Sequence, residues 1–133
     1  MNVSAENLLP HRPPMRFIDT LTQCDDTHAR ATARFQVNHF AVSDGLVLEA
    51  ALVECVAQTF AAALGHSTGS GEKPAMGMLA AVTDFQIQSR PAADTNLEIE
   101  VRELKRLGPM RLVAGKITCA GELIAAGGLT VYA

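Results

Sequence analysis

Glu54 lies near the centre of segment 46–65, LVLEAALVECVAQTFAAALG, and is the residue in this chain best placed to do chemistry. The segment is apolar nearly all the way round, and a helix without a polar face is normally surrounded by protein. A carboxylate in such a helix is costly unless it is paired, hydrogen-bonded or protonated. Burial raises a carboxyl pKa, so a Glu there can hold a proton near neutral pH and deliver it as a general acid. Gln58 follows one helical turn later on the same face, where it can orient the carboxyl or bind a substrate. The same pair also fits a purely structural acid, bonded to Gln58 or to a neighbouring subunit. Cys55 reads as a small core hydrophobe rather than a nucleophile.

The elements that must position these residues can be read from period and punctuation. Ser43-Asp44-Gly45 offers capping side chains and predicts a helix start, and Gly65 predicts its left-handed stop. Residues 28–37 alternate as a half-buried strand. Leu97, Ile99 and Val101 alternate with Glu98, Glu100 and Arg102, the cleanest strand signal in the chain. Residues 15–22, 75–88, 111–119 and 121–132 read as further extended segments, with turns at Asp25-Asp26 and Gly108-Pro109. Residues 66–74 form a polar loop. Short turns imply antiparallel neighbours. The expectation is a single α+β domain over 1–133, with an antiparallel sheet of about five strands wrapped around one long central helix.

Composition narrows the function. A chain of 133 residues fits one domain that buries roughly two-thirds of its unfolded surface. The formal net charge of −3, a single Tyr and no Trp give no footprint for nucleic acid or an anionic membrane. Three Cys without C-x-x-C spacing argue against a disulfide framework and a zinc site. The opening MNVSAENLLPHRPPM lacks the basic start and apolar run of a secretion signal, and the apolar segment carries Glu49, Glu54 and Gln58, which do not suit a bilayer span. A soluble cytoplasmic protein is expected.

Three motifs then come together in order. Leu8-Leu9-Pro10-His11-Arg12-Pro13-Pro14-Met15, running into Phe17-Ile18-Asp19, resembles the LLPHR-x-P opening of the hotdog-fold 3-hydroxyacyl-(acyl carrier protein) dehydratases. Glu54-Cys55-Val56-Ala57-Gln58 resembles the E-x-x-A-Q core of that family's helix, and Phe85 with Arg90-Pro91 and Asp94 resembles its F…RP…GD crossing. His39-Phe40 continues into Ala41-Val42-Ser43-Asp44-Gly45 where the family commonly has H-F-P-G-x-P. The Asp44-Gly45 to Glu54 spacing is closer to the divergent branch associated with aryl-polyene and xanthomonadin-type pigments.

The resemblance implies a hotdog fold working at least as a dimer. It also implies removal of water from a 3-hydroxyacyl thioester on acyl carrier protein or CoA, giving the trans-2-enoyl thioester, in fatty acid or polyene-type synthesis without metal or organic cofactor. The usual catalytic pair is a His from one subunit and an acid on the other's helix. On that reading Glu54 handles the C3 hydroxyl and His39 is the candidate base for the C2 proton. Gly45 and Leu46, in the first turn of the helix, would offer N–H groups to the thioester oxygen, with Gln58 nearby. Small residues Ala50, Ala51, Ala57 and Ala61 would leave room for an acyl chain. His39 equally fits an ordinary loop histidine, and His11 reads as a structural residue bonded to backbone. Lys105, Arg106 and Arg111 suit a solvated strand end better than a carrier-protein dock. Two rival functions are a hotdog acyl thioesterase and a non-catalytic hotdog subunit that pairs with an active one.

Overall fold

The computed structural model describes residues 1–67 and 78–132. Its strands are β1 (Val3–Ser4), β2 (Ile18–Cys24), β3 (His28–Ala33), β4 (Val42–Ser43), β5 (Leu46–Val47), β6 (Met78–Ile87), β7 (Leu97–Leu107), β8 (Met110–Cys119) and β9 (Glu122–Tyr132); α1 (Glu49–Ser67) separates β5 from β6. Seven strands form one antiparallel sheet in the order β1-β2-β3-β7-β8-β9-β6, and β4 and β5 form a separate hairpin. The expected fold class holds, with more strands than the five expected; β1 is too short to show a period. Most of the expected loop 66–74 lies outside the described residues, and His66 and Ser67 close the helix instead.

The alternation in β7 sets the core. Leu97, Ile99 and Val101 are buried and stand opposite Cys119, Ile117 and Gly115 of β8, while Glu98 and Arg102 face out. Leu97 to Val101 is therefore sheet interior. Ala29, Ala31 and Ala33 of β3 continue the inner face, and Leu52, Cys55, Val56 and Ala62 of α1 pack onto it. Gly115 lets helix and sheet approach closely: a Cβ there would lie 2.3 Å from Val56 Cγ1. Each fully buried aliphatic side chain contributes roughly 1.5–3 kcal/mol, so this one interface dominates the stability of the domain.

Two expectations need correction. The helix does not begin at Ser43-Asp44-Gly45. Asp44 and Gly45 have φ of 55° and 76° and form the two-residue turn of the β4–β5 hairpin, the left-handed pair that an Asp-Gly sequence favours there. Gly45 and Leu46 are thus outside the helix, whose first turn begins at Glu49. Gly65 is not a C-cap either. It lies inside α1, and a Cβ there would be 2.6 Å from the Leu8 carbonyl oxygen, so its small size lets the N-terminal segment cross the helix.

The sheet packs against one face of α1. Ala51, Leu52, Cys55, Val56, Gln58, Thr59 and Phe60 are buried, whereas Ala50 is exposed and Val53, Glu54, Ala57, Ala61 and Leu64 are half-open. At the edge of the sheet, β6 has Leu79 and Val82 exposed although they pair with the inward-facing Val131 and Leu129. No helix among the described residues is long and apolar enough to cross a membrane.

Candidate active site

Gln58 organises the site. It is 1% exposed, and both ends of its amide are engaged. Its Oε1 accepts from the Phe17 N–H at 2.8 Å and from the Ile18 N–H at 3.4 Å. Its Nε2 donates to the Met15 carbonyl at 2.9 Å and to Glu54 Oε1 at 3.1 Å. One buried amide therefore staples segment 15–18 to the helix and orients the carboxylate one turn away, as their i, i+4 spacing allows. The staple is stringent because a buried amide must be paired to be tolerated.

Glu54 lies on the half-open stripe. Its side chain retains 37% exposure, so the enclosure expected from the apolar sequence is not supplied by this chain's own sheet. Two groups converge on the same oxygen: besides the Gln58 amide, His11 Nε2 lies 3.7 Å from Glu54 Oε1. His11 Nδ1 is buried without a hydrogen-bond partner among the described residues, so the ring is not the backbone-bonded structural histidine expected from the Pro-rich corner. That corner is braced by Arg12, whose Nη1 donates to the Leu9 and His11 carbonyls. Burial pushes the adjacent Cys55 thiol strongly up, and the charge of Glu54 adds to this, which keeps Cys55 a core side chain rather than a nucleophile.

His39 is placed differently. Its Nε2 donates to the Pro14 carbonyl at 2.9 Å, and its Nδ1 accepts from the Ala41 N–H at 3.0 Å. The ring packs among Phe17, Phe35 and Phe40, stacking on Phe40 at a centroid distance of 4.7 Å. The chain does not bring His39 to Glu54; it brings His11. Pairing His11 with Glu54 requires knowing which residues 43 positions apart meet, and no local pattern carries that information. The available clue was the motif itself, a His fixed between prolines just ahead of the segment that Gln58 binds.

Gly45 and Leu46 belong to a scaffold built by the Arg90-Pro91 motif. Arg90 donates from Nε to the Val47 carbonyl and from Nη2 to those of Ser43 and Leu46, at 2.9–3.0 Å. The Pro91 carbonyl accepts from Val47 N–H, and the Gly45 carbonyl from Ala93 N–H. The hairpin is pinned just ahead of α1, and the backbone N–H groups of the first helical turn belong to Glu49 and its successors.

Two cavities lie elsewhere. One of about 670 Å³ opens at the C-terminal end of α1, between Phe60, Leu64, His28, Glu103, Arg106 and Arg111. Another of about 560 Å³ is bounded by Arg16, Phe17, Arg34, His39 and Phe40. Glu54 lines neither. Arg106 and Arg111 both engage Glu103, as a paired strand end would.

Comparison with known proteins bears on this arrangement. A family model described as ApeP-like, ApeP dehydratase, matches residues 3–133. No curated protein sequence matches the chain. Among solved structures, the dehydratase heterocomplex ApeI:P from Xenorhabdus doucetiae superposes with a TM-score of 0.85 at 20% identity, covering 98% of this chain and 90% of that one. Cj0977, a sigma28-regulated virulence protein from Campylobacter jejuni, gives 0.73 at 15% identity over 97% and 94% of the two chains. A hypothetical thioesterase protein with coenzyme A from Streptococcus pneumoniae TIGR4 gives 0.68 at 15% identity over 84% and 82%. The structural likenesses establish the fold; the family match, extending over nearly the whole sequence, establishes the lineage: this chain belongs to the ApeP-like dehydratase family and carries it on a hotdog domain.

Proposed function

We propose that the chain is a hotdog subunit of a dehydratase acting on 3-hydroxyacyl thioesters, with Glu54 as the group that protonates the departing C3 hydroxyl. The observation that carries the proposal is the placement of Glu54: a carboxylate oriented by a buried amide, on a helix face that the chain's own sheet leaves uncovered. In the reaction a base removes the C2 proton, the C2–C3 double bond forms, the C3–O bond breaks, and the hydroxyl leaves as water with the proton from Glu54. A second hotdog subunit covers the stripe of Ala50, Val53, Ala57 and Ala61 and pairs along β6, closing the site against water and strengthening its electrostatics. The heterocomplex of the ApeI:P structure supports a partner of a different kind. The base comes from the facing subunit; for the partner copy's equivalent of His39 to fill that role, Nδ1, its unprotonated nitrogen, would have to release the Ala41 N–H. Thioester on acyl carrier protein is the proposed substrate.

The test supplies the 3-hydroxybutyryl thioester of an acyl carrier protein to the protein isolated in its native assembly and follows the enoyl thioester absorbance. Wild type turns over, and Glu54→Gln loses about 10³-fold in kcat with an unchanged melting temperature. Undiminished turnover in Glu54→Gln removes Glu54 from the mechanism, and release of free thiol in place of enoyl product identifies a thioesterase.

A further inference from the structure

The dehydratase reading gives Glu54 a task but does not explain what aims its carboxyl group. Gln58 Nε2 and His11 Nε2 both face Oε1, at 3.1 and 3.7 Å, and among the described residues no hydrogen bond or ion pair engages Oε2. His11 has one nitrogen toward this carboxylate and the other, Nδ1, buried with no acceptor in reach. A proton on Nδ1 would be a buried donor left unpaired, which is costly, whereas a bare Nδ1 lone pair is tolerated more easily. That selects the tautomer with its proton on Nε2, where Glu54 can accept it.

The ring has little freedom to do otherwise. Pro10 precedes it and Pro13-Pro14 follow, the Arg12 guanidinium ties the carbonyls of Leu9 and His11, and the Gln58 staple anchors Met15 and Phe17. The gap of 3.7 Å is longer than a formed hydrogen bond, as is common for catalytic contacts before substrate tightens them.

We propose that His11 is a positioning residue for Glu54: its Nε2–H, with the Gln58 amide, holds Oε1 so that Oε2 is presented to the reacting hydroxyl. The assignment rests on the dehydratase reading for its consequence but not for its geometry, and the two are tested separately. On activity, His11→Ala lowers kcat about 10²-fold with KM changed less than about twofold, since misaiming an acid affects the transition state more than substrate binding. His11→Gln, whose amide N–H reaches the place of Nε2–H, recovers most of that loss. A residue that only filled space would show neither the kcat–KM split nor the rescue, and an unchanged kcat in His11→Ala overturns the role. The geometry is read by ¹⁵N NMR of the ring in the wild-type protein. Nε2 carries the proton, and its resonance moves in Glu54→Ala but not in Glu49→Ala. An Nδ1–H tautomer, or a ring indifferent to Glu54→Ala, overturns the contact whether or not the protein dehydrates anything. Absence of wild-type turnover with the spectral response intact overturns the dehydratase reading and leaves the contact standing.

Discussion

The corners that hold His11 and His39 put the same side chain to opposite uses. Both rings are fixed by proline-rich or turn backbone near the start of a hotdog helix, and Pro14 lies between them in sequence. At His39 both nitrogens are consumed by backbone, Pro14 carbonyl on one side and Ala41 N–H on the other, and the ring is packed against three phenylalanines. At His11 one nitrogen is idle and buried, and the other points at a half-open carboxylate. A ring satisfied on both nitrogens has no proton to exchange without breaking a bond that holds the loop. A ring with an unspent donor opposite a carboxylate is available for that task.

The most damaging way to break this comparison is to remove the amide that supports the His11 corner. Gln58→Leu preserves approximate volume but strands the buried Phe17 and Ile18 N–H groups, each costing about 1–3 kcal/mol, and removes the donor to the Met15 carbonyl. We expect a loss of about 3 kcal/mol, seen as a fall of roughly 10 °C in melting temperature, accompanied by a changed His11 ring spectrum. If stability falls but the His11 resonances do not move, the staple supports the fold without aiming the site.

His39→Ala probes the other corner and should have a smaller effect. It deletes two hydrogen bonds and a stacked pair, worth about 2 kcal/mol together, and should leave kcat within a few-fold of wild type at a temperature where the variant is folded. Denaturant midpoints and single-temperature kinetics separate the outcomes. A variant of native stability with collapsed kcat would make His39 the general base and reverse the roles of the two histidines.

How far the sequence reveals this site depends on the distance over which each feature is specified. The β7 alternation and the Glu54–Gln58 adjacency are local, so period and the helical turn give both. The helix start was misplaced because Ser43-Asp44-Gly45 carries two local signals, a cap and an Asp-Gly hairpin turn. The Arg90 contacts to Ser43, Leu46 and Val47, more than 40 residues away, reinforce the second. Gly65 looked like a terminator because the crossing of Leu8 over the helix is a tertiary fact. The apolar circumference of α1 predicts protein on every side, whereas among the described residues part of it, with Glu54, is half-open. The His11–Glu54 pairing was the least legible, since it follows from the path of the Pro-rich corner across the helix.

The subtlest test sharpens the comparison by keeping fold and site apart in acid. Burial pushes the Glu103 carboxyl up, but hydrogen bonds from Arg106 and Arg111, with their charges, outweigh it and hold Glu103 below the ordinary carboxylate range. The same balance, with His28, Arg30 and Lys116 as partners, lowers Glu100. A carboxylate whose pKa is depressed by folding contributes stability that is fully present above its unfolded value, 4.5 for Glu, and is lost as pH falls through the folded value. Stability should therefore be nearly flat with respect to these two groups above about pH 5 and decline below it. Glu103→Gln should be slightly less stable than wild type at neutral pH and lose less on acidification, a difference read from urea midpoints between about pH 6 and about pH 3. Because Glu103 borders the cavity at the C-terminal end of α1, away from Glu54, this variant should not alter the shape of the pH–rate profile. A profile that shifts with Glu103→Gln would mean that acid loosening of the distant end reaches the active site.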